Sequence, residues 1–330
     1  MDHLIAKKEK TEDRSLDYPI RSLLADIGFF LKPYRSRFYA ASLLHFLGDI
    51  AALFPAYAFA EIVTFLSGYE QGDPLDRFWM IAGLFMAIAA LRIVFHVSST
   101  YLGNQVSERT ALDAQIATIK HLFRLDMAWH EKENSGNKIK RINKGGFGLD
   151  RILRLWLGNF IEIGVNFVGV IFILGKIDLS VGLIMVVFLA IYFSAAHALL
   201  SKAKKASRAV DLGEEEVMGL TFQAVNNIRT VKVLSMAERL SLIIKEMMDD
   251  LFGKIRRRIF WYHTRWLVLD SLATVFRIGI MVFIVLGIIN GRYEIGFLVL
   301  FNGYFTNIVH SIFRLSESTQ DLVINKYGVA

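Results

Sequence analysis

Ionisable and amide side chains stand inside long apolar stretches of this chain, at helical spacing. His45 and Asp49 are four residues apart. Arg92, His96 and Ser99 share one helical face, as do Asn159, Glu162 and Asn166, and again Asp270, Thr274 and Arg277. Asn302, Thr306 and His310 lie near one face of a later stretch. Charged groups at membrane depth are costly and usually face a bundle interior or water. His45, Asp49, Arg92, His96, Asn159, Glu162, Asn166, Arg277, Asn302 and Thr306 are therefore candidates for lining a water-filled translocation cavity. The alternative is a set of interhelical salt bridges, with Asp49 and Glu162 balancing Arg92 and Arg277. The small net charge of the set argues against a pathway for one simple ion.

Other chemistry is absent from the sequence. There is no cysteine, which excludes disulfides, thiolate metal sites and a cysteine nucleophile. His45, His96 and His197 have no recognisable metal-ligand spacing, so no metal residue is assigned. No H-E-x-x-H, G-x-S-x-G or clustered carboxylate motif occurs, so no catalytic residue is assigned either. Phosphate cradling needs G-x-x-x-x-G-K-[ST]. The Gly175-Lys176 and Gly253-Lys254 pairs are each followed by Ile, and no strand precedes Gly145–Gly148, so the chain itself has no cofactor-binding residues. No nucleic-acid partner is indicated.

The elements that position these groups are apolar blocks. A span needs about 20 apolar residues to cross a hydrocarbon core of about 30 Å. Six such blocks are read: Phe38–Phe65, Phe78–Leu102, Trp156–Leu174, Ser180–Leu199, Trp266–Ile289 and Ile295–Leu315. Counted from the cytoplasmic ends at 1.5 Å per residue, Asp49, Arg92 and Arg277 fall about 15 Å deep and Glu162 about 9 Å. Residues 1–36 form a polar cytoplasmic segment that does not resemble a cleavable signal peptide. Residues 37–330 form the membrane domain.

Three connections are short and two are long. Each short one carries a single basic residue: Arg77, Lys176 or Arg292. The residues before Phe38 carry eight, the loop Gly103–Leu155 ten, the loop Leu200–Arg265 thirteen and the C-terminal end two. The positive-inside rule puts both termini and both long loops in the cytoplasm, in a multi-pass arrangement in the inner (plasma) membrane. Trp79, Trp156 and Trp266 fall at the interfaces. Arg256–Arg258 are read as an orientation anchor, the alternative being binding of anionic membrane lipid headgroups at about 1 kcal/mol per charge.

The long loops have helical patterns of their own. Leu112, Ile116, Ile119 and Phe123 recur at helical spacing, and Gly103–His130 would project about 40 Å at 1.5 Å per residue. Glu131–Asn137 interrupts this run. The second loop goes outward over Lys202–Met218, holds a tip at Phe222–Lys232 and returns over Ala237–Arg258. The fold class is thus an all-α membrane protein, with six transmembrane helices and two long cytoplasmic helical hairpins.

His121–Leu125, Trp129–Lys132, Ser135-Gly136 and Lys140-Arg141-Ile142 resemble the first hairpin of type I ABC exporter membrane domains. Phe222–Lys232 (FQAVNNIRTVK) followed by Glu238 resembles the second coupling segment. Gly291–Gly296 followed by Leu298–Tyr304 resembles the start of the sixth span. The resemblance covers roughly residues 25–330. It implies an ATP-driven exporter whose membrane domain works by alternating access as a homodimer or heterodimer with a second membrane subunit. It also implies that hairpin tips dock on a nucleotide-binding domain, which carries ATP and Mg. Carried over, the coupling residues are Glu131, Lys132, Glu133, Asn134, Ser135 and Gly136, with Phe222, Gln223, Asn226, Asn227 and Arg229. The competing reading is an ion-coupled transporter or channel not driven by ATP.

Two departures stand out. Gln223 replaces an acidic residue frequent in the family, and Gly145-Gly146 falls where an aspartate is common. Glycine in a helix costs about 1 kcal/mol relative to alanine, so a break or kink is expected at that pair. The family's ATPase domain would follow Ala330. The expectation is a longer gene product, with a separately encoded ATPase subunit as the alternative.

Overall fold

The computed structural model describes residues 20–127 and 135–329. Among the described residues the regular structure is helical, with no strand. In chain order the helices are α1 (Ile20–Leu31), α2 (Arg35–Ala51), α3 (Phe54–Ser67), α4 (Asp76–Leu122), α5 (Ser135–Leu155), α6 (Ile161–Ile177), α7 (Leu179–Asn226), α8 (Ile228–Val233), α9 (Ala237–Ile289) and α10 (Gly296–Val329). A 3₁₀ turn, Lys32–Tyr34, joins α1 to α2, and a π-helical turn, Trp156–Phe160, joins α5 to α6. Six helical stretches are long and apolar enough to cross a membrane, and each overlaps one of the six blocks read from the sequence.

The first predicted span contains two helices. α2 ends at Ala51 and α3 begins at Phe54. The cause is Pro55, which has no N–H to donate and whose ring crowds the carbonyl four residues back. Ala52 N–H and Leu53 N–H turn back to Gly48 and Ile50 carbonyls, at 3.0 and 3.1 Å. The chain thereby re-aims in mid-span.

α4 has 47 residues, which at 1.5 Å each is about 70 Å, more than twice a hydrocarbon core of about 30 Å. Its apolar first half is the second span. Its polar second half is the outgoing arm of the first hairpin and ends at Leu122 rather than His130. Leu112, Ile116, Ile119 and Phe123 are exposed there, so the apolar stripe of this arm is left open among the described residues.

The kink expected at Gly145-Gly146 does not occur: α5 runs unbroken from Ser135 to Leu155. Tertiary packing decides the matter. A Cβ on Gly146 would come within 2.6 Å of Gln115 Cγ on α4, so the glycine lets two helices approach instead of breaking one. The irregularity falls a few residues later, at the π turn. There Leu157 packs over Gly103 of α4, where a Cβ would stand 2.6 Å from Leu157 Cδ1.

The helices divide into two compact units. The first comprises the described residues up to Ile177 and those from Ile284. One of its buried clusters is formed by Leu23 and Ile27 of α1, Phe38 and Ala41 of α2, Val106 and Ala114 of α4, and Leu149, Ile152, Leu153 and Leu157. Leu23 and Ile27 are one helical turn apart, so α1 docks by a single face. Phe301, Tyr304, Phe305 and Ile308 of α10 are almost wholly buried. Arg154 clamps the two arms of the first hairpin: it donates to both oxygens of Asp150 at 2.9 Å and to Glu108 at 2.8 Å, and also to Asn104.

The second unit is Asp178–Phe283. The Asp178 carboxylate caps α7 by accepting from Ser180 N–H at 2.7 Å. Val210 and Val217 of α7 and Leu251 of α9 are buried together, flanked by Ile244, Met247 and Ile255. Towards the membrane end the Phe188 and Phe276 rings lie 5.2 Å apart. The Lys202 ammonium stands 4.9 Å over the Trp261 ring.

Candidate functional site

Most of the polar groups singled out by spacing converge in the first unit. His45, on α2, is 5% exposed and shares a 3.0 Å hydrogen bond with Ser99 Oγ on α4. Its Nε2 lies 3.7 Å from Asp49 Oδ2. Its ring stands 5.5 Å from that of His96, and it also faces the backbone of Gly158 in the π turn. Asp49 Oδ2 is buried without a hydrogen bond among the described residues. The charges around Asp49 are those of Glu162, Arg92 and Arg314. Four spans and the π turn thus meet at one polar cluster.

The face Asn159, Glu162 and Asn166 is fully engaged with α10. Asn159 Nδ2 donates to Ser318 Oγ at 2.7 Å, and Asn166 Nδ2 donates to Ser311 Oγ at 2.9 Å. Between these rungs the Arg314 guanidinium donates to the Glu162 carboxylate. The rungs recur every three to four residues on each helix while the chain directions oppose, so two stripes mesh along roughly 10 Å at 1.5 Å per residue. Glu162 is therefore balanced by Arg314. The set balance read from the sequence, Asp49 and Glu162 against Arg92 and Arg277, does not include Arg314. Arg277 belongs to the second unit, where it is half-buried. Ser311, Arg314 and Ser318 are the residues that spacing within single spans missed. Their signal was an i, i+3, i+7 polar stripe that mirrors the one on α6.

Arg92 and His96 face outward from α4. They line a cavity with apolar walls beside the break between α2 and α3. Arg92 makes no hydrogen bond or ion pair with any described residue; its interaction with Asp49 is at longer range. Thr306 is exposed on α10 and donates to the Asn302 carbonyl at 2.9 Å. Asn302 and Thr306 are not rungs of the ladder.

The second hairpin tip is displaced from its predicted position. α7 continues through Phe222 to Asn226, and Asn227 Nδ2 closes it by donating to the Gln223 carbonyl at 2.9 Å. The reversal is α8 with the turn after it, where Ser235 has φ +50°. Val231 is buried and seats α8, while Phe222, Val225, Ile228, Val233 and Leu234 are all at least half exposed. Gln223, Asn226, Asn227 and Arg229 are exposed as well. In the first tip, Glu131, Lys132, Glu133 and Asn134 lie outside the described residues. Ser135 and Gly136 open α5.

Residues 38–312 match the family model of the ABC transporter transmembrane region. Similarity extends to the transport/processing ATP-binding protein ComA of Streptococcus pneumoniae, 22% identical over 70% of this chain and 32% of that protein. ABC transporter B family member 22 of Arabidopsis thaliana is 24% identical over 60% of this chain and 16% of its own length. The lactococcin-A transport/processing ATP-binding protein LcnC of Lactococcus lactis is 23% identical over 69% of this chain and 32% of its own. The chain thus spans about a third or less of these relatives.

Six membrane-length helices, a helical fold and a family match over most of the chain define a multi-pass membrane protein. The chain belongs to the ABC transporter transmembrane-region family.

Proposed function

We propose that this chain is the membrane module of an ATP-driven exporter, lining the substrate pathway and alternating its access between the two sides of the membrane. Residues 37–330 are that module, and residues 1–36 a cytoplasmic segment. Both termini and both hairpins face the cytoplasm of an inner (plasma) membrane. A second membrane subunit completes the pathway. Nucleotide-binding domains, carrying ATP and Mg, dock on the hairpin tips.

The observation that carries this reading is the second tip. A 48-residue helix ends in exposed apolar side chains, far along the chain from its membrane-spanning half. Phe222, Val225, Ile228, Val233 and Leu234 would be solvated at a cost of about 25 cal/mol per Å² of apolar surface. A protein partner that buries them at the end of a rigid helix receives its motion. Two of the named relatives, ComA and LcnC, are transport/processing ATP-binding proteins, which supports an ATPase as that partner.

The test uses the chain together with the nucleotide-binding domain encoded with it. A spin label at Val233→Cys on both copies reports the distance between tips. Trapping with ATP and vanadate should shift that distance. A distance indifferent to nucleotide in an assembled, ATPase-active complex would sink the reading.

A further inference from the structure

The cavity beside the first-span break is built in two halves. Pro55, Phe85, Ile88 and Val97 give it apolar walls, and Arg92 and His96 give it a polar end. Its volume is about 280 Å³. Arg92 lies about 15 Å into the span at 1.5 Å per residue. A guanidinium at that depth is normally paired within the protein, yet Arg92 has no ion pair or hydrogen bond among the described residues. The Asp49 carboxylate is held instead on the His45 side, at 3.7 Å from Nε2.

From this we propose that the groove binds a single-chain amphiphile with a carboxylate head, the head on Arg92 and the chain against the apolar wall. The proposal rests on reading the chain as a substrate pathway, and names a cargo class for it. The planar guanidinium fork matches a carboxylate with two parallel hydrogen bonds. Bringing an anion to Arg92 supplies the partner that the protein withholds. The apolar wall begins within a few residues of the charge, so head and tail are read together. Ligand pockets run from roughly 300 to 1,000 Å³. At about 280 Å³ this one falls just below that range and admits one chain rather than a two-chain phospholipid. The break at Ala52-Leu53 creates the space, because α2 stops at Ala51, on the rim of the groove.

The experiment measures fluorescence binding of dansyl-undecanoic acid, and of its uncharged methyl ester, to the chain in nanodiscs of phosphatidylcholine. The acid should bind about tenfold tighter than the ester, a difference of about 1.4 kcal/mol. Arg92→Gln should erase that preference by bringing acid binding down to the level of the ester, and Arg92→Lys should keep part of it. Ala89→Phe, which fills the groove, should weaken both ligands. Each variant is compared at an unchanged thermal unfolding midpoint. Equal binding of acid and ester to the unaltered chain would overturn the proposal. So would unchanged acid binding in Arg92→Gln, or displacement of the probe by phosphatidylglycerol in the disc, which would assign the groove to bilayer lipid. If acid binding ignores Arg92 while ATP still moves the hairpin tips, the groove assignment falls and the transporter reading stands. If binding holds while the tips ignore ATP, the reverse is true.

Discussion

Glu162 on α6 accepts a hydrogen bond from Arg314 on α10, between two amide–hydroxyl rungs. Removing one charge of such a pair leaves the other uncompensated at membrane depth, which costs more than removing both. Arg314 is half exposed, so the cost is well below that of a fully buried pair. Arg314→Gln or Glu162→Gln alone should each destabilise by about 1–2 kcal/mol. The double variant should recover part of the loss, as a coupling energy of at least about 0.5 kcal/mol. Thermal unfolding of the four proteins in one detergent measures the cycle. Additive losses would show that the pair does no coupled work.

This ladder also shows how much the sequence discloses. Asn159, Glu162 and Asn166 are legible as one face because helical period is a local property of the chain. Their partners are far along the sequence on α10, and no local pattern states which two stripes mesh. Charge balance counted Asp49 and Glu162 against Arg92 and Arg277 as a set, and packing brings Arg314 to Glu162. The apolar blocks were legible for the opposite reason: membrane thickness fixes their length before any packing. Pro55 could be seen in its span, but the break became visible only with the backbone. Gly145-Gly146 was misread because glycine permits both a kink and a close helix approach, and the Gln115 side chain on α4 decides between them.

The Gly146 contact leads to a substitution pair. Gly146→Ala places a methyl against Gln115 Cγ, within 2.6 Å. Helix propensity alone would favour alanine by about 1 kcal/mol. Overpacking typically costs about 1–3 kcal/mol, so the net change should be destabilising by up to about 2 kcal/mol. Trimming the neighbour in Gly146→Ala/Gln115→Ala should restore stability to the level of Gln115→Ala alone or above it. A Gly146→Ala protein more stable than the parent in thermal unfolding would mean that the helices do not meet there.

Orientation can be tested because the chain has no cysteine to obscure single labels. Gln71→Cys lies in an exposed short connection, and Val233→Cys lies at the exposed tip. The charge asymmetry of the loops puts Gln71 outside and Val233 inside. In intact cells an impermeant maleimide should label Gln71→Cys and spare Val233→Cys until the membrane is permeabilised. The opposite pattern would invert the topology.

Phe222 gives the sharpest test of coupling. It is on the last turns of α7 and 67% exposed, so its ring does not pack between the arms of its own hairpin. Truncating it should therefore leave the folded chain almost untouched, since surface changes away from special features stay within about 0.5 kcal/mol. Aromatic anchors at interfaces often cost about 2 kcal/mol or more when cut to alanine. The physics is mechanical: a helix of 48 residues transmits displacement to a partner only through side chains seated in that partner. In the assembled transporter, Phe222→Ala should insert, fold and dimerise as the parent does. Its affinity for the nucleotide-binding domain should fall by about tenfold or more, and substrate stimulation of ATP hydrolysis should fall with it. Phe222→Leu should keep part of both. Basal hydrolysis by the ATPase should persist, because the substitution removes no group of the ATPase itself. A Phe222→Ala transporter with full stimulated hydrolysis and full transport would remove the residue from the coupling path and shift attention to Ile228 and Leu234, which share the exposed tip.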